Sequence, residues 1–238
     1  MRQGFVFLFV IAISCTSKDP LPAAVVSDYF PLKKGHYQIY GVDSLVVNQN
    51  IETMFTYELK TEVTDSFPNA EGGFTYLIQR SKRLTTSSPW TSLESWSARV
   101  SPFVAVVNEG NISYMKISGP LNNEKAWDGN ALNILGGSEK CLVGDAYTCD
   151  NYTISSFAKP FEIPGGPHFE NTITIIQNDN KDFIVFQDKR SEIYAKKTGL
   201  IYREIIQLNY CTDPDCLGMQ FVESGLKYKQ SITEYGGL

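Results

Sequence analysis

The chain lacks any window of twelve or more residues that keeps an apolar stripe at the helical period, so helices are expected to be few and short. It has no basic cluster either. With 21 Lys and Arg against 26 Asp and Glu, the formal charge is −5. That balance argues against nucleic acid as a partner, because such binding rests on grouped cations that neutralise phosphates. Histidine occurs only at His36 and His168, so a serine or cysteine triad would have to use one of these two. No G-x-S-x-G elbow is present. Neither H-E-x-x-H nor a histidine pair at helical spacing supports a metal hydrolase. A surface or half-buried polar role is expected for both histidines, and no cofactor is implied.

What the chain does have begins at its start. Arg2 precedes an unbroken apolar run over residues 5–13, followed by Ser14 and Cys15. A spanning helix needs about 20 apolar residues, so the run fits the core of a signal peptide better than a permanent anchor, and no later run is long enough. A small residue and then cysteine at its end resembles the lipobox of bacterial lipoproteins, with Ala12 where that family usually has Leu or Val. The resemblance implies cleavage after residue 14 and acylation of Cys15, which becomes the first residue of the mature chain. One acyl chain anchors only marginally, at about 0.8 kcal/mol per buried CH₂, and a triacylated cysteine anchors stably. Thr16 stands where an Asp would resemble an inner-membrane retention signal, so the outer membrane is the expected address, on either its periplasmic or its surface face. Ser17-Lys18-Asp19 resembles a shortened surface-export tether of bacteroidete lipoproteins.

Aromatic residues at 13% and hydrophobic residues at 42% suffice for a packed core. Of five cysteines, four remain once Cys15 is acylated, and an even count in an oxidising compartment reads as two disulfides. Spacing favours the local pairs Cys141 with Cys149 and Cys211 with Cys216, although two other pairings stay open. A four-cysteine zinc site is disfavoured, since Cys141 and Cys149 are too far apart for it.

Period-two alternation recurs over residues 36–47, 53–63, 74–80, 103–108, 111–117, 172–177, 183–187, 192–196, 200–210 and 226–233, with Asn, Asp and Gly turns between them. In the clearest run, Phe55, Tyr57, Leu59 and Val63 share one face while Glu58, Lys60 and Glu62 share the other. Residues 118–149 and 159–167 read as long irregular connections. The expected architecture is mainly β, a single domain of curved antiparallel sheet built as a half-barrel, barrel or sandwich. Residues 1–14 form the signal peptide, 15–28 the lipidated tether and 29–238 the β domain.

Tyr29-Phe30-Pro31-Leu32-Lys33-Lys34-Gly35-His36-Tyr37-Gln38-Ile39-Tyr40 resembles the "YFPLKVGNYWVY" start of a family of bacteroidete cell-envelope lipoproteins, with Gln38 where tryptophan is usual. Gly119-Pro120-Leu121 leading to Trp127-Asp128-Gly129-Asn130 is similar to a second landmark of that family. A third is residues 194–202, which resemble its "YAKGVGLVY" strand-turn-strand, with Thr198 before the glycine. The resemblance implies an envelope lipoprotein on curved antiparallel sheet and carries no catalytic positions. The landmarks also have a plain physical reading: Gly35 and Gly199 permit tight turns, Pro31 forbids strand pairing at an edge, and the aromatics fill a core.

Paired carboxylates could serve a secreted hydrolase, but with 26 acidic residues the sequence places no particular pair. Residues 178–182 and Asp213-Pro214-Asp215 offer oxygen ligands for calcium yet read better as solvated turns, so no metal site is expected. Trp90, Trp96 and Trp127 are expected in core packing rather than stacked on sugars. Asp43-Ser44-Leu45 resembles a short O-glycosylation acceptor of bacteroidete envelope proteins. The reading that results is a non-enzymatic binding or structural lipoprotein, held to a lipid bilayer by Cys15, with a protein, a glycan or an apolar ligand as partner. A hydrolase and an apolar-ligand or lipid carrier are the alternatives. Metabolic labelling with an alkyne fatty acid tests the anchor: the parent chain should label and Cys15→Ala should not, and a labelled mutant would overturn the assignment.

Overall fold

A computed structural model describes residues 24–133, 151–180 and 184–237. After one turn of helix, α1 (Val26–Tyr29), the chain forms β1 (Tyr37–Asn48), β2 (Ile51–Pro68), β3 (Phe74–Arg83), β4 (Thr91–Val100), β5 (Val104–Glu109) and β6 (Ile112–Ser118). It continues through β7 (Ala126–Asp128), β8 (Asn151–Glu162), β9 (His168–Asn180), β10 (Phe186–Ala195), β11 (Gly199–Tyr210) and β12 (Val222–Gly236). Every pairing is antiparallel, in the order β6-β5-β4-β3-β2-β1-β12-β11-β10-β9-β8-β7. Two meanders of six strands therefore leave the central β1–β12 pair in opposite directions.

Turn chemistry sets these registers. Asn48 pairs with Ile51, which leaves Gln49 and Asn50 as a two-residue loop with φ of 50° and 58°. Positive φ at both positions is the turn whose twist matches the flanking strands, and asparagine tolerates it well. Between β10 and β11 the turn places Gly199 at φ 91°, as the spacing of that landmark implied.

The two outer strands meet. Met115 N–H of β6 donates to Gly129 O at 2.8 Å, and Trp127 Nε1 of β7 donates to Met115 O at 2.8 Å. This seam makes the sheet a nearly closed barrel and satisfies the edge N–H and C=O of Met115. The indole of Trp127 stands edge-on to Tyr152 at 5.9 Å, and a Cβ at Gly129 would collide with that tyrosine ring.

One end of the barrel, called proximal here, holds the β2–β3 and β4–β5 turns and the N-terminal residues 24–36. There Val26 N–H donates to Pro102 O at 2.9 Å, Lys197 N–H to Asp28 O at 2.6 Å, and Tyr29 OH to Asn171 Oδ1 at 2.6 Å. Val26 and Tyr29 are fully buried among Ala105, Ile117, Tyr152, Ile154, Ile173 and Ile175, so the chain packs into the barrel from these residues onward. At the distal end, the sulfurs of Cys211 and Cys216 lie at bonding distance with Cα atoms 5.9 Å apart. Cys15, Cys141 and Cys149 lie outside the described residues.

The alternating runs correspond to strands, except that the runs 183–187 and 192–196 both overlap the one continuous strand β10, and three strands are additions. β4, β7 and β8 carried no recognised alternation, and the stretch 159–167 is not wholly irregular, since β8 runs through Pro160 to Glu162. It does so by slipping register repeatedly, with Ala158 at φ 54°, which is how a sheet accommodates proline. In β2, Leu59 and Val63 are buried as the pattern required, whereas Phe55 on the same face is half exposed beyond the packed interior.

Replacing Trp127 by Phe removes the donor to Met115 O while keeping an aromatic against Tyr152. The loss should be about 1 kcal/mol, a fall in Tm of about 2–4 °C, with faster amide exchange at Met115. Unchanged exchange there would show that the indole does not hold the seam.

Candidate functional site

Strand alternation sends Glu192 and Tyr194 of β10 and Arg203 of β11 into the barrel, opposite Glu109 of β5 and Lys116 of β6. In the sheet order these two walls are far apart, so their side chains meet only across the interior. Lys116 Nζ lies 2.7 Å from Glu109 Oε1 and 3.3 Å from Glu192 Oε1. An Arg203 terminal nitrogen lies 2.5 Å from Glu192 Oε1 and 3.5 Å from Glu109 Oε1. Tyr194 OH donates to Glu192 Oε2 at 2.5 Å. Glu192 is 1% exposed and Lys116 5%, so the charges have little water to lean on.

Burial pushes the Glu192 carboxyl toward protonation, but the adjacent Arg203 and Lys116 charges outweigh it and bring its pKa to about 2. Glu109 is shifted the same way for the same reasons, burial being overcome by Lys116 and Arg203. Burial also works against the charge on Arg203, yet Glu192 and Glu109 hold its pKa well above the usual arginine value. The cluster therefore carries two anions and two cations. Above it, Tyr40 is raised by burial, and Tyr228 is pushed up to about 12, also chiefly by burial.

Beside this cluster lies a cavity of about 80 Å³, mostly apolar, between Trp96, Val63 and Tyr40 on the barrel side and Phe30-Pro31-Leu32 of the N-terminal segment. His36, Trp96 and Arg203, all lining residues of this cavity, each carry a buried nitrogen without a hydrogen-bond partner among the described residues: Nε2, Nε1 and Nε respectively. His36 Nδ1 is 3.3 Å from Pro31 O, a contact that a neutral ring makes by donating from Nδ1. Burial lowers the His36 pKa and keeps it neutral, leaving Nε2 as an acceptor. The residues around the cavity thus hold one unpartnered acceptor and two unpartnered donors.

His36, expected at or near the surface, is 4% exposed. The difference arises because the N-terminal segment folds over it. His168 is exposed, 3.3 Å from Glu170. Trp90 and Trp96 carry guanidinium groups over their rings, from Arg83 at 4.3 Å and Arg80 at 3.8 Å. Cys211, Asp213 and Cys216 place ligand-type atoms together, but the two sulfurs are joined to each other and are not free to take a metal. Asn178 to Asn180 end β9 rather than forming a turn, and Asn178 Nδ2 donates to Asp188 Oδ2 at 3.2 Å. Glu109, Lys116, Glu192 and Arg203 escaped the sequence reading. Their one signal is phase, because Arg203 alternates in step with Ile201 and Ile205 where an apolar residue is the default.

Comparison of the chain with protein-family models and with curated proteins gives no match. Among solved structures, it is similar to a Bacteroides fragilis protein described as exported and as having a YmcC-like fold. The TM-score is 0.47 at 10% identity, over 88% of this chain and 99% of that one. It is also similar to a Parabacteroides distasonis protein described as a lipoprotein, with TM-score 0.34 and 9% identity, over 87% of this chain and 98% of that one.

Glu192→Gln keeps the shape and removes the charge that both cations share, which should cost about 3–5 kcal/mol in urea unfolding at pH 7. The pH dependence has a definite sign. Because the folded pKa of about 2 lies below the ordinary 4.5, the stabilisation is complete above 4.5 and drains away as pH falls toward 2. The gap between parent and Glu192→Gln should shrink over that window, and a gap independent of pH would exclude Glu192 ionisation as its source.

Proposed function

We propose that this chain is an envelope lipoprotein with a non-enzymatic binding role, tethered through acylated Cys15 to the outer membrane. Its barrel takes a small neutral ligand that carries a hydroxyl group. The observation that carries this reading is the set of unpartnered buried nitrogens on residues that line a mostly apolar cavity. A hydroxyl donates to the His36 Nε2 lone pair and accepts from Trp96 Nε1 or Arg203 Nε, while a short apolar body lies against Phe30, Leu32 and Val63.

The chemistry of the charges supports binding over hydrolysis. A glycosidase pair needs one carboxyl protonated near neutral pH to serve as general acid, whereas both Glu109 and Glu192 are shifted toward ionisation by Lys116 and Arg203. Size argues against a lipid in this cavity. Drug-sized ligand pockets run to roughly 300–1,000 Å³, well above the 80 Å³ found here.

Native mass spectrometry of the protein drawn gently from its own membrane should show a small adduct that denaturation releases and that Trp96→Phe weakens. A bare mass in the parent protein would sink the proposal. A screen of chromogenic glycosides and esters should show no turnover, and turnover abolished in Glu109→Gln would replace binding with hydrolysis.

A further inference from the structure

We propose that the proximal end of the barrel rests on the bilayer surface, with Phe67, Phe74 and Phe103 as its interfacial anchors. This inference rests on the acylation of Cys15 and is independent of the cavity ligand. The three side chains are 48%, 52% and 71% exposed. They belong to two turns that neighbour each other in the sheet: Pro68 pairs with Phe74 at the tip of the β2–β3 hairpin, Tyr76 pairs with Ala98, and Val100 pairs with Ala105 across the turn that carries Phe103. Because Phe67 pairs with Thr75, it faces the opposite side of the hairpin from Phe74. The three phenylalanines therefore put exposed apolar surface on both faces of the proximal end, which water alone does not favour.

The tether says what covers this apolar end. Val26 N–H binds Pro102 O at 2.9 Å, so the chain leaves the barrel beside Phe103. From Cys15 to Ala24 is nine residue steps, at most about 30 Å when fully extended. β2 runs from the distal tip at Ile51 to the proximal tip at Pro68 over 18 residues. That is about 60 Å along the strand, and still about 45 Å after the tilt usual in barrels. A tether shorter than the barrel cannot let the distal end, with its exposed Ile51, Leu217 and Met219, face the membrane that holds the lipid. The proximal phenylalanines meet it instead, at the depth where aromatic rings are favoured.

The experiment uses the full mature lipoprotein in phosphatidylethanolamine–phosphatidylglycerol vesicles whose acyl chains are brominated close to the headgroup. Phe103→Trp places a reporter at the proximal end and Leu217→Trp one at the distal end, each read as the emission added to that of the native tryptophans. The added emission of Phe103→Trp should fall by about twofold or more, as for an interfacial indole, while that of Leu217→Trp should not change. Equal quenching at both ends, or none at Phe103→Trp in protein that floats with the vesicles, would overturn the proposal. Failure to float, together with no fatty acid on Cys15, would bring down the anchor assignment and this inference with it.

Discussion

Four charges that meet across the barrel interior set the separation of its walls. Glu109 and Lys116 come from one side, Glu192 and Arg203 from the other, and each cation is in range of both carboxylates. At an effective dielectric near 20, a pair of unit charges about 4 Å apart gains about 4 kcal/mol, and removing each ion from water costs several kcal/mol. The sum is small, so the cluster does little for net stability. Its effect is on geometry. Any displacement of β5 and β6 relative to β10 and β11 would leave a buried charge alone, and that penalty holds the cavity beside the cluster at one size.

The same economy governs the sheet's edges and its end. Without the Trp127 and Gly129 contacts to Met115, the seam would lose the hydrogen bonds that hold β6 beside β7, and the N–H and C=O of Met115 would be left unpaired. Without Val26 and Tyr29, the apolar interior at Ile117, Ile154 and Ile173 would open to water. Because residues 30–32 also wall the cavity, the segment that closes the barrel lies between the tether and the site. A pull on the proposed tether would therefore act first on Val26 and Tyr29, and only then on Phe30, Pro31 and Leu32.

Local chemistry was legible in the sequence and long-range chemistry was not. Alternation located most strands, since one apolar face is enough to reveal a half-buried strand. β4 escaped because Thr91-Ser92-Leu93-Glu94-Ser95 is exposed on both faces, and β8 because Pro160 sits where a strand is usually discounted. The landmark residues proved structural in part, Gly35 and Gly199 taking positive φ and Trp127 closing the seam. Gln38, which stands where the family resemblance has tryptophan, donates from Nε2 to Thr198 O and Leu200 O, both at 2.8 Å, and ties β1 to the β10–β11 turn. The charge cluster joins Lys116 to Glu192, 76 positions further along the chain, and Glu109 to the still more distant Arg203. No periodicity reports such a meeting.

The neutrality of that cluster bears on what the cavity can accept. A charged ligand would enter a region where both anions and both cations are already engaged, and would have no counter-charge to offset its own loss of hydration. A neutral hydroxyl faces no such cost, because a hydrogen bond to His36 Nε2 and one from Trp96 Nε1 or Arg203 Nε replace those it made with water. The apolar majority of the wall then bears on what the hydroxyl is attached to. Many-hydroxyl sugars would leave most of their polar groups against Phe30, Leu32 and Val63, unpaired, at about 1–3 kcal/mol each, so the proposed ligand is a compact alcohol rather than a free hexose.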